Sequence, residues 1–183
     1  MLPQYVKLRA SQLQFAYSSK GKPSLAAGSN PLDVRFNVSH SHNVALIAVT
    51  RNREIGVDVE RVRDGVETQD LAERFFSPRE IEVLKSLPVA AQKKAFFLCW
   101  TRKEAYLKAT GDGLDVPLSE FEVAFRPDEP AALVRVEGHP EEPARWTMLD
   151  LSWDDDHAAT VVAEGRDWTP SCWDWTLAGA RRA

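Results

Sequence analysis

Apolar positions along the first third of the chain recur at short, strand-like intervals. Leu13–Tyr17, Val34–Val38, Val44–Val49 and Ile55–Glu60 each predict a strand, since side chains alternate between faces along an extended chain. Ser18–Asn30, rich in Gly, Ser and Pro, reads as a loop. Ser39-His40-Ser41-His42-Asn43 reads as a turn, and Asn52 marks a hairpin position before the Ile55–Glu60 run. The period then changes. Thr68–Phe76 predicts a short helix, and Ser77-Pro78-Arg79-Glu80 a helix start, with Ser77 as N-cap, Pro78 in the first position and Glu80 closing a capping box. That helix ends near Leu87-Pro88. A long helix follows over Ala90–Thr110 and stops at Gly111. Phe121–Phe125, Ala132–Val136, Trp146–Leu151 and Ala158–Ala163 read as a strand meander. The tail, Trp168–Trp175, holds three of the six tryptophans and is expected to pack back onto the domain. The sum is an α+β domain with a mostly antiparallel sheet packed on a long helix.

Two places break the apolar pattern with charge. In Gly56-Val57-Asp58-Val59-Glu60, the valines point to one face and Asp58 and Glu60 to the other. For an isolated D-x-E, the solvated face of an edge strand is the better reading. On the long helix, Phe97, Trp100, Glu104 and Leu107 share a face, so Glu104 interrupts an apolar stripe. Lys108, one turn on, shares that face; the two alone would be an ordinary i,i+4 pair. A carboxylate in an apolar stripe is costly unless it meets a counter-charge or a metal. Hard oxygen ligands at this spacing suit Mg²⁺. Three acids and a lysine so arranged suggest a site that handles phosphate. Trp100 reads as core.

Composition narrows the picture slightly. The chain of 183 residues can bury a sizeable core, and 44% hydrophobic with 27% charged residues is ordinary for a globular protein. A net charge of -4 argues against broad nucleic-acid binding. Cys99 and Cys172 are expected to be free, buried thiols. No signal peptide or membrane-length apolar run stands out, so a cytoplasmic protein is expected, away from membranes.

The ordered motifs carry a family resemblance. Gly21-Lys22-Pro23, Val38-Ser39-His40-Ser41, Gly56-Val57-Asp58-Val59-Glu60, Phe75-Phe76-Ser77-Pro78-Arg79-Glu80 and Trp100-Thr101-Arg102-Lys103-Glu104 continuing to Leu114 together resemble the 4′-phosphopantetheinyl transferases, in their larger, Sfp-type branch. The resemblance implies transfer of 4′-phosphopantetheine from coenzyme A to a serine of an apo acyl or peptidyl carrier protein, releasing adenosine 3′,5′-bisphosphate. It implies Mg²⁺ on Asp58, Glu60 and Glu104, with Glu104 taking the proton of the attacking hydroxyl. Lys108 would neutralise charge on the transferring phosphate. Lys22, Ser39 and His40 would contact coenzyme A phosphates. His42 and Lys103 are expected at the surface.

Larger members of the family are pseudo-dimers of two similar halves, and here only Met1–Lys20 precede the Gly-Lys-Pro motif. Residues 1–52 therefore read as a remnant of the N-terminal pseudo-repeat, with Lys7 and Arg9 as its basic candidates, and 53–183 as the half with the metal site. A misplaced start, a truncated and inactive product, or a homo-oligomer that completes the half-site would each account for this. Each predicts an exposed apolar surface where the absent part packs. A non-catalytic module that binds coenzyme A or carrier protein is the alternative function. A metal-dependent phosphohydrolase is a weaker one, for want of a second metal cluster.

Overall fold

The computed structural model describes residues 1–176 and 179–182. Its elements run α1 (Leu2–Val6), β1 (Phe15–Tyr17), β2 (Pro23–Leu25), β3 (Val34–Ser41), β4 (Val44–Arg51), β5 (Ile55–Arg61), α2 (Thr68–Phe75), α3 (Pro78–Ser86) and α4 (Val89–Thr110). Then follow β6 (Phe121–Ala124), β7 (Ala132–Val136), α5 (Glu142–Arg145), β8 (Trp146–Asp150), β9 (His157–Glu164), β10 (Trp173–Thr176) and β11 (Gly179–Arg182). The fold is α+β, and its strand ladders are antiparallel. The helix signals read from sequence are present. Ser77 Oγ accepts from Glu80 N at 3.2 Å, and Glu80 Oε2 accepts from Ser77 N at 2.9 Å. Gly111 ends α4 in the left-handed region at φ 81°, a conformation glycine adopts freely.

Three sequence expectations are corrected. The Ser39–Asn43 turn shrinks to His42 and Asn43, because β3 continues to Ser41, which pairs with Val44. Ladder pairing and the burial of Ser39 and Ser41 outweigh the local turn preference of these residues. The Ser18–Asn30 loop contains β2, paired with β1. The expected meander is two separate units. β6 pairs with β7, whereas β8 pairs with β9, and β9 inserts beside β5 to give the order β5-β9-β8.

From Ala95 to Thr110, α4 is buried or half-buried on every side. Phe96, Phe97, Cys99, Ala105, Tyr106, Leu107 and Ala109 all lie in the main core. The helix crosses β5 at Gly56, where its backbone replaces a side chain. A Cβ on Gly56 would fall into the main chain of Ala105 and Ala109, with Ala109 Cα 2.9 Å away. Ala105 and Ala109, one turn apart and wholly buried, supply the matching small face.

Lys103, expected at the surface, is fully buried. Its ammonium lies 2.7 Å from Glu80 Oε2, donates to the Leu118 carbonyl at 2.8 Å, and sits 4.4 Å from the Phe121 ring centre. Glu80 Oε1 accepts from Val123 N at 2.9 Å. One ion pair therefore joins the start of α3, the middle of α4 and β6. The i,i+1 neighbours Lys103 and Glu104 point apart on the helix, so Glu104 is free for another task.

At the other end, α1, Leu8 and Leu13 cover Val34 and Phe36 on the outer face of β3–β4. Farther along that face Val38 and Ile47, opposite each other in the ladder, stay exposed. In the tail Trp168 packs against Ile55 and Val161, but Trp173 and Trp175 are exposed, contrary to the packing expected of them. Both cysteines are free as expected, but only Cys99 is buried; Cys172 is exposed. No helix among the described residues is long and apolar enough to cross a membrane.

Gly56→Ala is expected to lower stability by about 1–3 kcal/mol or more, the range for overpacking against an unyielding neighbour. Lys103→Ala, which strands a buried carboxylate, should cost about 3–5 kcal/mol. Urea denaturation of both variants checks these losses.

Candidate active site

β3 and β5 are held together by side chains instead of a ladder. Val57 N donates to Asn37 Oδ1 at 3.0 Å, Val59 N to Ser39 Oγ at 3.3 Å and Arg61 N to Ser41 Oγ at 3.1 Å. Both series climb together, so the strands run parallel. The same hydroxyls donate to the acids between those amides: Ser39 Oγ to Asp58 Oδ1 at 2.7 Å, Ser41 Oγ to Glu60 Oε2 at 2.9 Å. Alternation along β5 puts Asp58 and Glu60 on the face of Gly56, towards α4. Close approach at Gly56 then brings the adjoining α4 residues to them. Lys108 Nζ lies 2.6 Å from Asp58 Oδ1 and 3.1 Å from Ser39 Oγ.

The electrostatics are unbalanced. Burial pushes the Asp58 carboxyl above its ordinary range despite the Lys108 ammonium beside it, and Glu60 pushes it further. Glu104 is raised too, by burial first and then by the charges of Asp58 and Glu60, with Lys108 opposing. Asp58 Oδ2 is buried with no hydrogen-bond partner. Three acids thus share one field with one close cation, and a buried acceptor remains unsatisfied. Their oxygens form no ready-made three-ligand cage among the described residues; the Lys108 ammonium is drawn to Asp58.

Above this cluster opens a cleft of about 240 Å³, lined by Lys20, Lys22, Asn37, Glu104, Lys108 and the glycines at 21, 111 and 113. Of the residues singled out from sequence, Glu104 and Lys108 line it, and Lys108 reaches Asp58 and Ser39 buried behind, with Glu60 two residues farther along β5. Lys22 lines the cleft, but its ammonium is bound to Glu54 Oε2 at 2.6 Å and the Ala109 carbonyl at 2.7 Å. His40 is not brought into the group. It alternates with Ser39 and is exposed on the opposite face of β3. Asn37, Ser41 and Lys20 were missed. The period-two run Asn37-Val38-Ser39-His40-Ser41 was the available signal for the first two.

A model of the 4′-phosphopantetheinyl transferase superfamily matches residues 54–162, the stretch from β5 through α4 to β9. The chain belongs to that superfamily. It is 43% identical over 171 residues to the 4′-phosphopantetheinyl transferase HetI of Nostoc sp., covering 93% of this chain and 69% of the relative. A 4′-phosphopantetheinyl transferase of Bacillus subtilis is 33% identical over 155 residues, covering 85% of this chain and 65% of the relative. The Sfp transferase of Bacillus subtilis is 29% identical over 133 residues, covering 73% and 57% respectively. The chain thus spans between about half and about two thirds of the length of these transferases.

The raised carboxyls give a testable sign. A carboxyl whose folded pKa exceeds its unfolded value contributes stability below the unfolded value and loses it as pH rises through the folded one. Asp58 and Glu104 should therefore weaken the metal-free protein as pH climbs out of the ordinary carboxylate range. Glu104→Gln is expected to raise the metal-free Tm at pH 7 by about 2–4 °C, the shift produced by roughly 1 kcal/mol in a chain of this size. The gain should vanish at pH 4. Calorimetric melting at the two pH values measures it.

Proposed function

We propose that this chain transfers 4′-phosphopantetheine from coenzyme A to a serine hydroxyl of an apo acyl or peptidyl carrier protein, with Mg²⁺ as cofactor. The observation that carries the reading is the convergence of Lys108, Asp58 and Glu104 at the base of the cleft, in a chain of this superfamily. The residues fit a divalent cation. Asp58, Glu60 and Glu104 offer hard oxygens, their charges oppose one another, and Asp58 Oδ2 is a buried acceptor without a partner. A Mg²⁺ ion held there would supply positive charge to the pyrophosphate of coenzyme A.

The protein's own groups do the rest. Glu104, with its affinity for a proton raised, accepts the proton of the carrier serine as its oxygen attacks phosphorus. The new bond joins serine oxygen to phosphorus, and the phosphoanhydride oxygen leaves with adenosine 3′,5′-bisphosphate. Lys108 moves from Asp58 to the phosphoryl oxygens as their charge spreads in the transition state. Ser39 holds Asp58 and lies within reach of both. Residues 53–183 supply the acids and Lys108; residues 1–52 supply Ser39 and Lys22. Here Lys22 pins the loop to the end of α4. Two free thiols accord with a cytoplasmic location.

Intact-mass analysis of an apo carrier protein incubated with this chain, coenzyme A and Mg²⁺ tests the proposal. The expected result is a gain of one phosphopantetheine, abolished by EDTA. Glu104→Ala and Lys108→Ala should each slow transfer by about 10²-fold or more, the scale for losing a general base or a charge-stabilising donor. Coenzyme A binding without any transfer would favour the non-catalytic binding module instead.

A further inference from the structure

The two serines that tie β3 to β5 hold the acids between them unequally. Ser39 shares its task. Asp58 Oδ1 accepts from Ser39 Oγ at 2.7 Å and also from Lys108 Nζ at 2.6 Å, so the carboxylate keeps a donor if either is lost. Glu60 has no such reserve. Among the described residues, the Ser41 hydroxyl, 2.9 Å from Oε2, is the one hydrogen-bond partner of the Glu60 carboxylate, and Glu60 joins no ion pair.

The direction of that bond is fixed. A serine hydroxyl carries one proton and can also accept. The Arg61 amide donates to Ser41 Oγ at 3.1 Å, and an N–H can only donate, so the hydroxyl proton is left for Glu60. Ser41 is itself anchored. It is buried, and its main chain pairs with Val44 at the last rung of the β3–β4 ladder, just before the turn at His42. Oε2 of Glu60 is thereby held on the β3 side, while Oε1 carries no hydrogen bond among the described residues. A glutamate has three side-chain torsions and, without a partner, samples many rotamers. A bond from an anchored hydroxyl removes much of that freedom.

We propose that Ser41 is a positioning residue for the divalent cation, holding the Glu60 carboxylate in place with one oxygen left for the ion. This rests on the reading of Asp58, Glu60 and Glu104 as the cation's ligands. Ser41 acts through Glu60 and does not itself touch the ion. An outer partner of this kind orients its ligand before the metal arrives and so lowers the entropy lost on binding. A neutral hydroxyl suits the task. It fixes the carboxylate without cancelling its charge, whereas an ammonium, as Lys108 is beside Asp58, competes with the metal for that charge.

The test is calorimetric titration of Mg²⁺ into the whole chain in excess coenzyme A, beside melting of the metal-free protein. Ser41→Ala should weaken Mg²⁺ binding about tenfold or more, the usual loss when a ligand's outer partner is removed. Ser41→Cys, close in size but a weak donor, should fold where alanine does not, and should weaken binding in the same direction. In a Glu60→Ala background the same substitutions should cause no further loss, because the hydroxyl then has no ligand to hold. A purely structural rung between the strands would lower the metal-free Tm in both backgrounds and leave Mg²⁺ affinity unchanged. That result, or an equal loss of affinity without Glu60, would overturn the inference alone. Wild-type protein that binds no Mg²⁺ beside coenzyme A would overturn the functional reading, and this inference with it.

Discussion

Everything at the cleft depends on one contact between main chains, where α4 lies on β5 at Gly56. Because no Cβ intervenes, the backbone of Ala105 and Ala109 rests against the strand. A side chain at the crossing would hold the helix off the strand, because packed interiors leave no room for an added group. Removing the side chain at the crossing draws the elements together and lets Lys108 reach Asp58 at 2.6 Å. The buried Lys103–Glu80 pair fixes the rotation of α4 from its other side. If the helix turned about its axis, Lys103 would leave its carboxylate and carbonyls while Glu104 and Lys108 left the strand.

The cluster so assembled is under electrostatic stress. Lys108 and the serine hydroxyls offset part of the charge on Asp58, yet burial still raises the carboxyl, and Glu104 follows for the same reason. Such a site is poorly satisfied by the protein alone. Added positive charge would relieve it, and lysines line the cleft above it. Stability is given up at the place where charge is needed, which is how perturbed acids come to mark functional sites.

What the sequence made legible was local. The Ser77–Glu80 capping box, the stop at Gly111 and the alternation of Val57 and Val59 with Asp58 and Glu60 follow from bonds and periods a few residues long. Glu104 was visible because it interrupts an apolar stripe, whereas Asp58 and Lys108 stood out only within the ordered motifs of the family. Less visible were residues whose role is set by a distant partner. Lys103 looks like a surface lysine until Glu80 and the Phe121 ring enclose it. Ser41 looks like a turn residue until β5 presents the Arg61 amide and Glu60. The central place of β9 is a long-range pairing with β5, which no local pattern encodes. His40 stands beside Ser39 in sequence, but strand alternation sends it to the opposite face.

The central claim is that the acids on β5 and α4 bind coenzyme A through a divalent cation, with Lys108 against Asp58. Calorimetric binding of coenzyme A in Mg²⁺ and in EDTA, wild type beside Asp58→Asn, addresses it most directly. The account predicts that Mg²⁺ tightens wild-type binding by at least about tenfold, or roughly 1.4 kcal/mol, and that Asp58→Asn loses this dependence. Equal wild-type affinity with and without Mg²⁺ would contradict it.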